Sequence, residues 1–266
     1  MSAESGPPEN AYRARSERGE VQIGTWITMI RTPSVLTLLQ SAGLDYARLD
    51  LEHSAFSIET VADMATLARA LDFPLVVRPP EGNREWITRL LDAGVWNLHV
   101  PQVESAEQAA AVVAATRYAP LGSRGMYGSG PHTAFRVRPP ALHMAAANAR
   151  VHVTAMLESA DAFRRLDEIA AVPGIDMVHI GALDVSNVMG IPAQYADPRM
   201  RAVFEKVARA CKAHGKSMGV GGARGDRELQ RYLIDLGVRY LTSGSDVGYL
   251  MAAGKADVEA IRKIKA

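Results

Sequence analysis

The sequence has a single cysteine and no long apolar run, and these shortages exclude several classes of protein. One cysteine cannot form a disulfide framework within the chain. That residue, Cys211, lies in a segment of helical composition, which predicts a packed side chain and not a catalytic nucleophile. No apolar run approaches the ~20 residues that a membrane-spanning helix requires, so we expect no membrane partner.

An excess of charge of one sign is also missing. The chain has 266 residues, with 30 Lys and Arg against 29 Asp and Glu, which gives a formal net charge of +1. Acids and bases are interleaved without the basic stripe that neutralises nucleic-acid phosphates, so nucleic acid is not an expected partner. A hydrophobic content of 48% indicates an ordinary globular protein with a sizeable core.

The first twenty residues lack the apolar segment of an ordinary signal peptide. They carry the charged residues Glu4, Glu9, Arg13, Arg15, Glu17, Arg18 and Glu20. We therefore expect a cytoplasmic location by default. Residues 1–20 are predicted to form a helical or loose N-terminal extension.

Eight short runs rich in apolar and β-forming residues are present along the chain. They are Gln22 to Met29, Tyr46 to Glu52, Pro74 to Pro80, Asn97 to Val103, His152 to Ser159, Met177 to Asp184, Ser217 to Ala223 and Tyr240 to Asp246. Segments of helical spacing or composition lie between most of them, including Ile58 to Ala70, Glu85 to Ala93, Ser105 to Thr116, Met200 to Ala213 and Arg227 to Leu236.

This alternation predicts a single (β/α)8 TIM barrel that occupies residues 1–266. Most of the strands are apolar on both faces, as expected if one face lines a packed interior and helices cover the other. The length agrees with a barrel of roughly 250 residues. Several helices also end at a glycine before the next strand, for example at Gly43, Gly94 and Gly237.

Two carboxylates follow neighbouring predicted strands. Glu158 closes the fifth run and Asp184 follows the apolar part of the sixth, and a helix start follows each acid. If the two strands are adjacent and parallel, ~4.8 Å apart, both acids project from the same end of the sheet and can share one hard divalent cation. The alternative is that each acid only caps the following helix.

The second and third predicted strands end in residues suited to proton transfer and anion binding. Alternation places Asp50 and Glu52 on one face and His53 in the loop, where Asp50 could hold the imidazole. His53 could equally be a half-exposed loop histidine. Arg78 ends an apolar strand and could bind a carboxylate or enolate oxygen, or pair with Glu52 as a structural bridge.

Two further features suggest functional loops. The segment from Tyr118 to Pro140 is rich in Gly and Pro, follows strand four, and is predicted to be a functional loop on the catalytic side of the barrel. Glycines in Gly219 to Gly222 and in Thr242 to Asp246 end strands seven and eight, where many barrels bind phosphate. The histidines within strands, His99, His152 and His179, are interpreted as core residues.

Five fragments together resemble the HpcH/HpaI aldolase family, part of the pyruvate/phosphoenolpyruvate barrel superfamily. In chain order they are Leu49 to His53, Val76 to Pro79, Ala114 to Tyr118 with Gly122 to Gly125, Leu157 to Ser159, and Gly181 to Ser186. The resemblance extends from about Ile23 to Leu250. Each fragment is weak alone, but each lies at a predicted strand end or in the long loop.

The resemblance implies a barrel that assembles as a homo-oligomer, a trimer of dimers, and uses a divalent cation such as Mg²⁺, Mn²⁺ or Co²⁺. Glu158 and Asp184 would be the metal ligands. Arg78 would hold the keto oxygen of pyruvate and stabilise its enolate, and His53, supported by Asp50, would transfer protons through water. The substrate carboxylate would be received by Gly181, Ala182, Leu183, Arg124 and Gly125.

The physical chemistry agrees with this assignment, because a divalent ion and an arginine can together stabilise an enolate. No lysine occurs at the predicted catalytic strand ends, which argues against a Schiff-base aldolase. Some residues depart from the family pattern. Met156 stands where many relatives carry Gln, Leu51 where many carry Gly, and Ala182-Leu183 where Pro-Ala is frequent. The stretch from Met126 to His132 also differs, which leaves the second substrate open.

The leading hypothesis is a metal-dependent aldolase that cleaves 4-hydroxy-2-oxo acids to pyruvate and an aldehyde. One alternative keeps the enolate chemistry but changes the electrophile, as in an oxo-acid decarboxylase or a macrophomate synthase-like enzyme. An alternative of another class is a phosphate-binding isomerase barrel that uses the glycines after strands seven and eight.

Overall fold

Eight parallel strands close into one barrel in the computed structural model, which describes residues 9–264. The strands are β1 (Gln22–Ile27), β2 (Tyr46–Asp50), β3 (Leu75–Arg78), β4 (Asn97–Val100), β5 (His152–Leu157), β6 (Met177–Ile180), β7 (Ser217–Val220) and β8 (Val238–Ser245). Each strand pairs with the next and β8 pairs with β1, so the predicted (β/α)8 barrel is confirmed. Below, the mouth is the end of the barrel at which the strands terminate, and the base is the end at which they begin.

Twelve α-helices lie within the described range. They are α1 (Ala11–Glu17), α2 (Val35–Ser41), α3 (Ile58–Ala70), α4 (Arg84–Asp92), α5 (Ala106–Thr116), α6 (Pro140–Arg150), α7 (Ala160–Arg164), α8 (Leu166–Ala171), α9 (Ala182–Val188), α10 (Pro198–His214), α11 (Arg227–Leu236) and α12 (Asp246–Ile264). Of the predicted N-terminal extension, residues 1–8 lie outside the described range, and residues 11–17 form α1.

The local sequence signals set most strand starts correctly. All eight predicted runs contain a strand, and six strands begin at the predicted residue. The helices α3 and α11 match the prediction at both ends, because Ser57 and Asp226 accept the backbone N–H of Thr60 and Leu229 and fix the first turns. The predicted runs continue one to four residues past the strands, because those residues leave the sheet at the mouth.

The barrel interior is more polar than the sequence predicts. The main hydrophobic core lies between the strands and the surrounding helices. Inside the barrel, by contrast, Arg48, His99 and His179 are almost completely buried. At the base, Tyr12 of α1 closes the barrel and packs against Tyr46 with ring centroids 5.1 Å apart. The N-terminal extension, predicted to be helical or loose, thus contains a helix that closes the base of the barrel.

The long Gly/Pro-rich segment does not lie on the catalytic side, so that prediction is wrong. It lies between α5 and α6, within the connection that leads from α5 to β5. A connection from a helix to the next strand lies at the base. Contacts with the base-side ends of two helices hold it there. Arg69 of α3 donates to the carbonyl of Pro131 at 2.6 Å, and Arg124 pairs with Asp92 of α4 at 2.7 Å.

The last helix extends away from its own barrel. The main contacts of α12 are with β1 and β8, and almost all of its residues after Leu250 are exposed. The exposed apolar side chains on it are Leu250, Met251, Val258, Ile261 and Ile264. Among the described residues, no helix combines the length and the hydropathy that a membrane-spanning helix requires.

Candidate active site

The polar residues that follow the strands converge at the mouth because all eight strands run in the same direction. Arg78 is the last residue of β3, and Asp50 is the last of β2. The Glu158 carboxyl follows β5, and Asp184 lies in the first turn of α9, after β6. Strands β5 and β6 are adjacent, with Leu157 paired with Ile180, so the two acids stand on neighbouring positions of the rim.

A buried ion cluster forms the β2–β3 side of the mouth. The Arg78 guanidinium donates from Nε to Asp50 Oδ1 at 2.9 Å and from a terminal nitrogen to Asp50 Oδ2 at 2.7 Å. Its other terminal nitrogen lies 3.0 Å from Glu52 Oε2. Arg78 also stacks on Trp26, 4.5 Å from the ring centroid. The predicted bridge between Arg78 and Glu52 is thus present, together with a bidentate pair to Asp50 that the sequence did not indicate.

The ion cluster leaves Arg78 with hydrogen-bonding capacity. A guanidinium has five N–H donors, and three of those of Arg78 face the two carboxylates. The remaining two donate to no acceptor within the described residues. A structural bridge and a substrate contact are therefore compatible for this residue.

The predicted contact between Asp50 and the His53 imidazole is not formed. The Asp50 carboxylate is held by Arg78, and it also accepts the backbone N–H of Glu52 at 3.0 Å and of His53 at 3.4 Å. Asp50 therefore shapes the turn after β2 and does not orient the ring. Glu52 carries the nearest carboxylate, with its Oε2 3.6 Å from Nε2 of the largely exposed imidazole.

The Glu158 carboxyl lies in a strongly negative part of the rim. Its side chain is half-buried, and the pKa of Glu158 is raised to about 7, first by loss of solvent and then by the negative charges of Glu52 and Asp184. The positive charge of Arg78 and the backbone N–H of Gln102 act in the opposite direction. Three acids therefore share one region, and only Glu52 has an ion-pair partner in the described range.

The alternative in which the two acids cap helices is not supported by the helix geometry. Ser159 caps α7, because its hydroxyl accepts the backbone N–H of Ala162 at 3.2 Å. The N-cap position of α9 is Gly181, which has no capping side chain. Asp184 in the first turn of α9 interacts favourably with the helix dipole, but its side chain is exposed and free to bind elsewhere.

The donor set at this point fits a hard divalent cation. Glu158 and Asp184 provide carboxylate oxygens from adjacent strand ends, and such oxygens are preferred by Mg²⁺ and similar ions. Within residues 9–264, no group of three or more His, Cys, Asp or Glu side chains is arranged to hold an ion. Glu158 and Asp184 are thus a pair of candidate ligands and not a complete protein cation site within the described residues.

A glycine and a methionine form the floor beside Glu158. A Cβ on Gly181 would lie 2.9 Å from Glu158 Oε1 and 2.9 Å from Met156 Cε, so a larger residue would displace both neighbours. The Met156 Sδ is 3.0 Å from Nε2 of the buried His99. Burial, followed by the charge of Arg48, lowers the pKa of His99 well below its ordinary value, so this ring is neutral at pH 7.

Gln102 is a component of the mouth that the sequence reading missed. It follows β4, and its backbone has a φ of 52°, in the left-handed region that non-glycine residues rarely adopt. Its side-chain amide donates to Glu52 Oε1 at 3.2 Å, while its backbone N–H faces the Glu158 carboxyl. One strained residue therefore contacts both carboxylates. The positive φ has no sequence signature in a glutamine.

The expected carboxylate-binding residues separate into two groups. Gly181, Ala182 and Leu183 begin α9 at the mouth, where the first backbone N–H groups of a helix have no partner within it. Arg124 pairs with Asp92 at the base-side end of α4, whereas a Cβ on Gly125 would be 3.8 Å from the guanidinium of Arg84, the first residue of α4. Arg124 is thus held away from the mouth of its own barrel, while Gly125 lies beside the Arg84 side chain of α4.

The glycine-rich ends of β7 and β8 are already occupied by intramolecular contacts. A Cβ on Gly219 would lie 2.5 Å from Nδ1 of His179, so this glycine makes room for a buried ring. Asp246 accepts the backbone N–H groups of Met29 and Ile30 at 3.0 and 2.9 Å. The Asp246 carboxylate therefore stands at the end of β8, where its negative charge opposes a bound phosphate, so the phosphate-binding alternative is weakened.

Comparison with known proteins shows similarity to one family of aldolases over nearly the whole chain. Residues 22–252 match the model of the HpcH/HpaI aldolase/citrate lyase family. The chain is 31% identical over 262 residues to a 4-hydroxy-4-methyl-2-oxoglutarate aldolase from Hapsidospora irregularis, covering 97% of this chain and 96% of the relative. It is 33% identical over 244 residues to a hydroxypyruvate/pyruvate aldolase from Pseudomonas aeruginosa, covering 92% and 90% of the two chains.

A solved structure is similar over the same extent. The HpcH/HpaI aldolase from Desulfitobacterium hafniense superposes with a TM-score of 0.89 at 30% identity, and the match covers 94% of this chain and 96% of that one.

Variants of Arg78 can separate its contribution to the stability of the fold from its contact with the substrate. Arg78→Ala should lower turnover ~10²–10³-fold and destabilise the protein by about 3–5 kcal/mol, since Asp50 is left buried and unpaired. The double variant Asp50→Asn/Arg78→Met removes both charges and should recover much of the stability without recovering turnover. Turnover that returned together with the melting temperature would contradict a substrate contact.

Gln102 can be tested through its two separate contacts. Gln102→Leu removes the side-chain bond to Glu52 and should reduce kcat about 2–10-fold, the range of one hydrogen bond. Gln102→Gly loses the same bond, so its kcat should be reduced by a similar factor. Because glycine adopts a positive φ without strain, this variant should melt at a higher temperature than Gln102→Leu. Steady-state kinetics and thermal unfolding measure the two effects. An unchanged kcat in both variants would remove Gln102 from the site.

Proposed function

This chain belongs to the HpcH/HpaI aldolase/citrate lyase family, and we propose that it is a carbon–carbon lyase. It cleaves 4-hydroxy-2-oxo acids to pyruvate and an aldehyde, and it also catalyses the reverse addition. The observation that carries this proposal is the convergence of an arginine and two carboxylates at one barrel mouth. Glu158 and Asp184 would hold a divalent cation, such as Mg²⁺, Mn²⁺ or Co²⁺. When bound, that cation would polarise the keto oxygen of the substrate as a Lewis acid.

Within this proposal, Arg78 donates its two remaining N–H groups to the keto oxygen and stabilises the negative charge that forms there. The bidentate pair with Asp50 and the stacking on Trp26 hold the guanidinium in place before the substrate arrives. The backbone N–H groups that begin α9, at Gly181, Ala182 and Leu183, receive the substrate carboxylate.

We assign proton transfer to His53, acting through water. In cleavage it accepts the proton of the 4-hydroxyl group, and the C3–C4 bond then breaks to release the aldehyde and leave the pyruvate enolate. Protonation of the enolate carbon completes the cycle. The exposure of the imidazole supports this role because water has free access to Nε2, and Glu52 is the acid that faces the ring.

A substrate panel tests the function directly. The protein, supplemented with Mn²⁺, is incubated with a series of 4-hydroxy-2-oxo acids, and pyruvate release is measured with a coupled dehydrogenase. We also expect exchange of the methyl protons of pyruvate with D₂O by NMR. Release of carbon dioxide from oxaloacetate without aldehyde cleavage would favour the decarboxylating alternative, and absence of both proton exchange and cleavage would reject the enolate mechanism.

His53→Ala should slow aldol cleavage and pyruvate proton exchange ~10²–10⁴-fold, the usual contribution of a general base. Cation affinity should be retained, because the imidazole is not one of the proposed ligands. The control is His214→Ala on α10, far from the mouth, which should keep wild-type rates. Loss of cation binding in His53→Ala, with normal exchange per bound cation, would contradict the assignment.

The cation site is tested by Glu158→Gln and Asp184→Asn, which keep size but remove charge. Activity should disappear with a chelator and return with Mg²⁺, Mn²⁺ or Co²⁺, and each variant should need far more cation. A raised pKa means that ionised Glu158 destabilises the fold as the pH passes about 7, and a bound cation relieves this. Added Mn²⁺ should therefore raise the melting temperature more at pH 8 than at pH 6. Full activity in chelator would disprove the site.

We also propose that the chain assembles as a trimer of dimers, in which α12 packs on a second copy. The five exposed apolar side chains of α12 support a covered helix. Light scattering should give six times the chain mass of 28.7 kDa, and Val258→Asp/Ile261→Asp should lower it, whereas Asp257→Asn on the same helix should not. A monomeric wild type would reject the assembly.

A single domain and a cytoplasmic location stay predictions from the sequence.

A further inference from the structure

A cavity of about 220 Å³ opens at the base of the barrel, far from the mouth and outside the proposed aldolase chemistry. It lies between the segment 124–150 and the base-side ends of α3, α4 and β4, and we call it the base pocket. Five arginines line it: Arg69, Arg124, Arg136, Arg138 and Arg150. None of its lining residues within the described range is an aspartate or a glutamate.

The positive charge of the base pocket is poorly compensated. Arg124 pairs with Asp92 behind the pocket wall at 2.7 Å, and Arg69 donates to a backbone carbonyl, which carries no full charge. For the side chains of Arg136 and Arg138, the described part of the chain provides no ion-pair or hydrogen-bond partner. Burial, followed by the charges of Arg138 and Arg69, lowers the pKa of Arg150 to about 10. Mutual repulsion of these guanidinium groups would be relieved by an anion.

Two buried donors also lack partners. Arg124 is only 7% exposed, and its Nε–H has no hydrogen-bond acceptor within the described residues. The Nε–H of Arg150 is likewise buried without an acceptor, while its guanidinium stacks on Trp96 at 5.1 Å from the ring centroid. Unsatisfied buried donors of a charged group are costly, so they indicate that an acceptor completes the site.

The rest of the lining defines the kind of anion. Leu91, Val95, Trp96 and Ala147 supply apolar surface beside the arginines. A cavity of about 220 Å³ suits a small metabolite and not a polymer. Planar guanidinium groups bind carboxylates and phosphates through paired hydrogen bonds.

We propose that the base pocket binds a small organic polyanion, a metabolite that carries a phosphate group or several carboxylates, held by Arg138, Arg150 and their neighbours. The site is independent of the aldolase reaction, because it lies at the opposite end of the barrel from Glu158. Binding would also tie the long segment between α5 and α6 to α3 and β4.

Thermal unfolding of the full chain measures binding with two probes, inorganic phosphate and citrate, each against sodium chloride at the same ionic strength. At about one hundred times Kd, we expect the melting temperature to rise by roughly 5–10 °C. Trp96 fluorescence should change with the same concentration dependence, and Trp96→Phe should abolish that signal. A response to phosphate alone identifies a phosphorylated ligand, and a response to citrate alone identifies a polycarboxylate.

Arginine variants locate the site. Arg136→Gln/Arg138→Gln should weaken binding at least ~10-fold, as expected for lost charge-assisted hydrogen bonds, and Arg150→Gln should do the same if it folds. The matched control is Arg209→Gln on the exposed face of α10, which should bind like the wild type. Pyruvate should not compete, since it is expected to bind at the mouth.

Several outcomes would overturn the proposal. They are no stabilisation beyond that of sodium chloride, equal binding by Arg136→Gln/Arg138→Gln and the wild type, or displacement of the anion by pyruvate. If the double variant instead lowers the oligomeric mass and leaves anion affinity unchanged, the pocket receives carboxylates of a second copy of the chain, and the small-anion proposal fails.

Discussion

The buried guanidinium of Arg78 is the interaction on which the organisation of the mouth depends. It pairs with Asp50, which is 2% exposed and would otherwise be a buried carboxylate without a cation, and it also pairs with Glu52. With those two acids held, the turn after β2 is fixed through the amides that Asp50 accepts, and His53 is directed outward. A single positive charge thereby organises three neighbouring groups, and within residues 9–264 neither Glu158 nor Asp184 has an ion-pair partner.

The two ends of the barrel carry opposite and locally unbalanced charge, although the formal net charge of the chain is only +1. At the mouth, the negative charges of Glu52 and Asp184 add to burial in raising the pKa of Glu158. At the base, neighbouring arginines add to burial in lowering the pKa of Arg150. The two shifts have the same physical causes, first the loss of solvent on burial and then like charge nearby. The negative mouth is therefore suited to a cation, and the positive base is suited to an anion.

The polar barrel interior connects these ends. Arg48 is 1% exposed and has no carboxylate partner in the described range, but it stacks on Trp26 at 4.8 Å and donates to Thr242 at 3.3 Å. Burial of the two rings, followed by the charge of Arg48, lowers the pKa of His99 and His179, so both are neutral at pH 7. Trp26 thus lies between two guanidinium groups, those of Arg48 and Arg78, so the interior supports the mouth from below.

The sequence by itself determined the barrel, the starts of most strands, and the placement of Arg78, Glu158 and Asp184 at strand ends. These features follow from local signals, since period, capping residues and strand ends are properties of adjacent residues. The tertiary structure decided which groups meet. Asp50 binds Arg78, 28 residues away, and not the neighbouring imidazole, because barrel closure sets β3 beside β2.

The same reason explains the residues that the sequence could not identify. Gln102 contacts Glu52 across 50 positions, and its left-handed backbone leaves no mark in the residue type. The arginines of the base pocket are scattered between positions 69 and 150, and the segment that carries most of them looked catalytic from its glycines alone. Its position at the base follows from its place after a helix, because a segment that leads into a strand must lie where that strand begins.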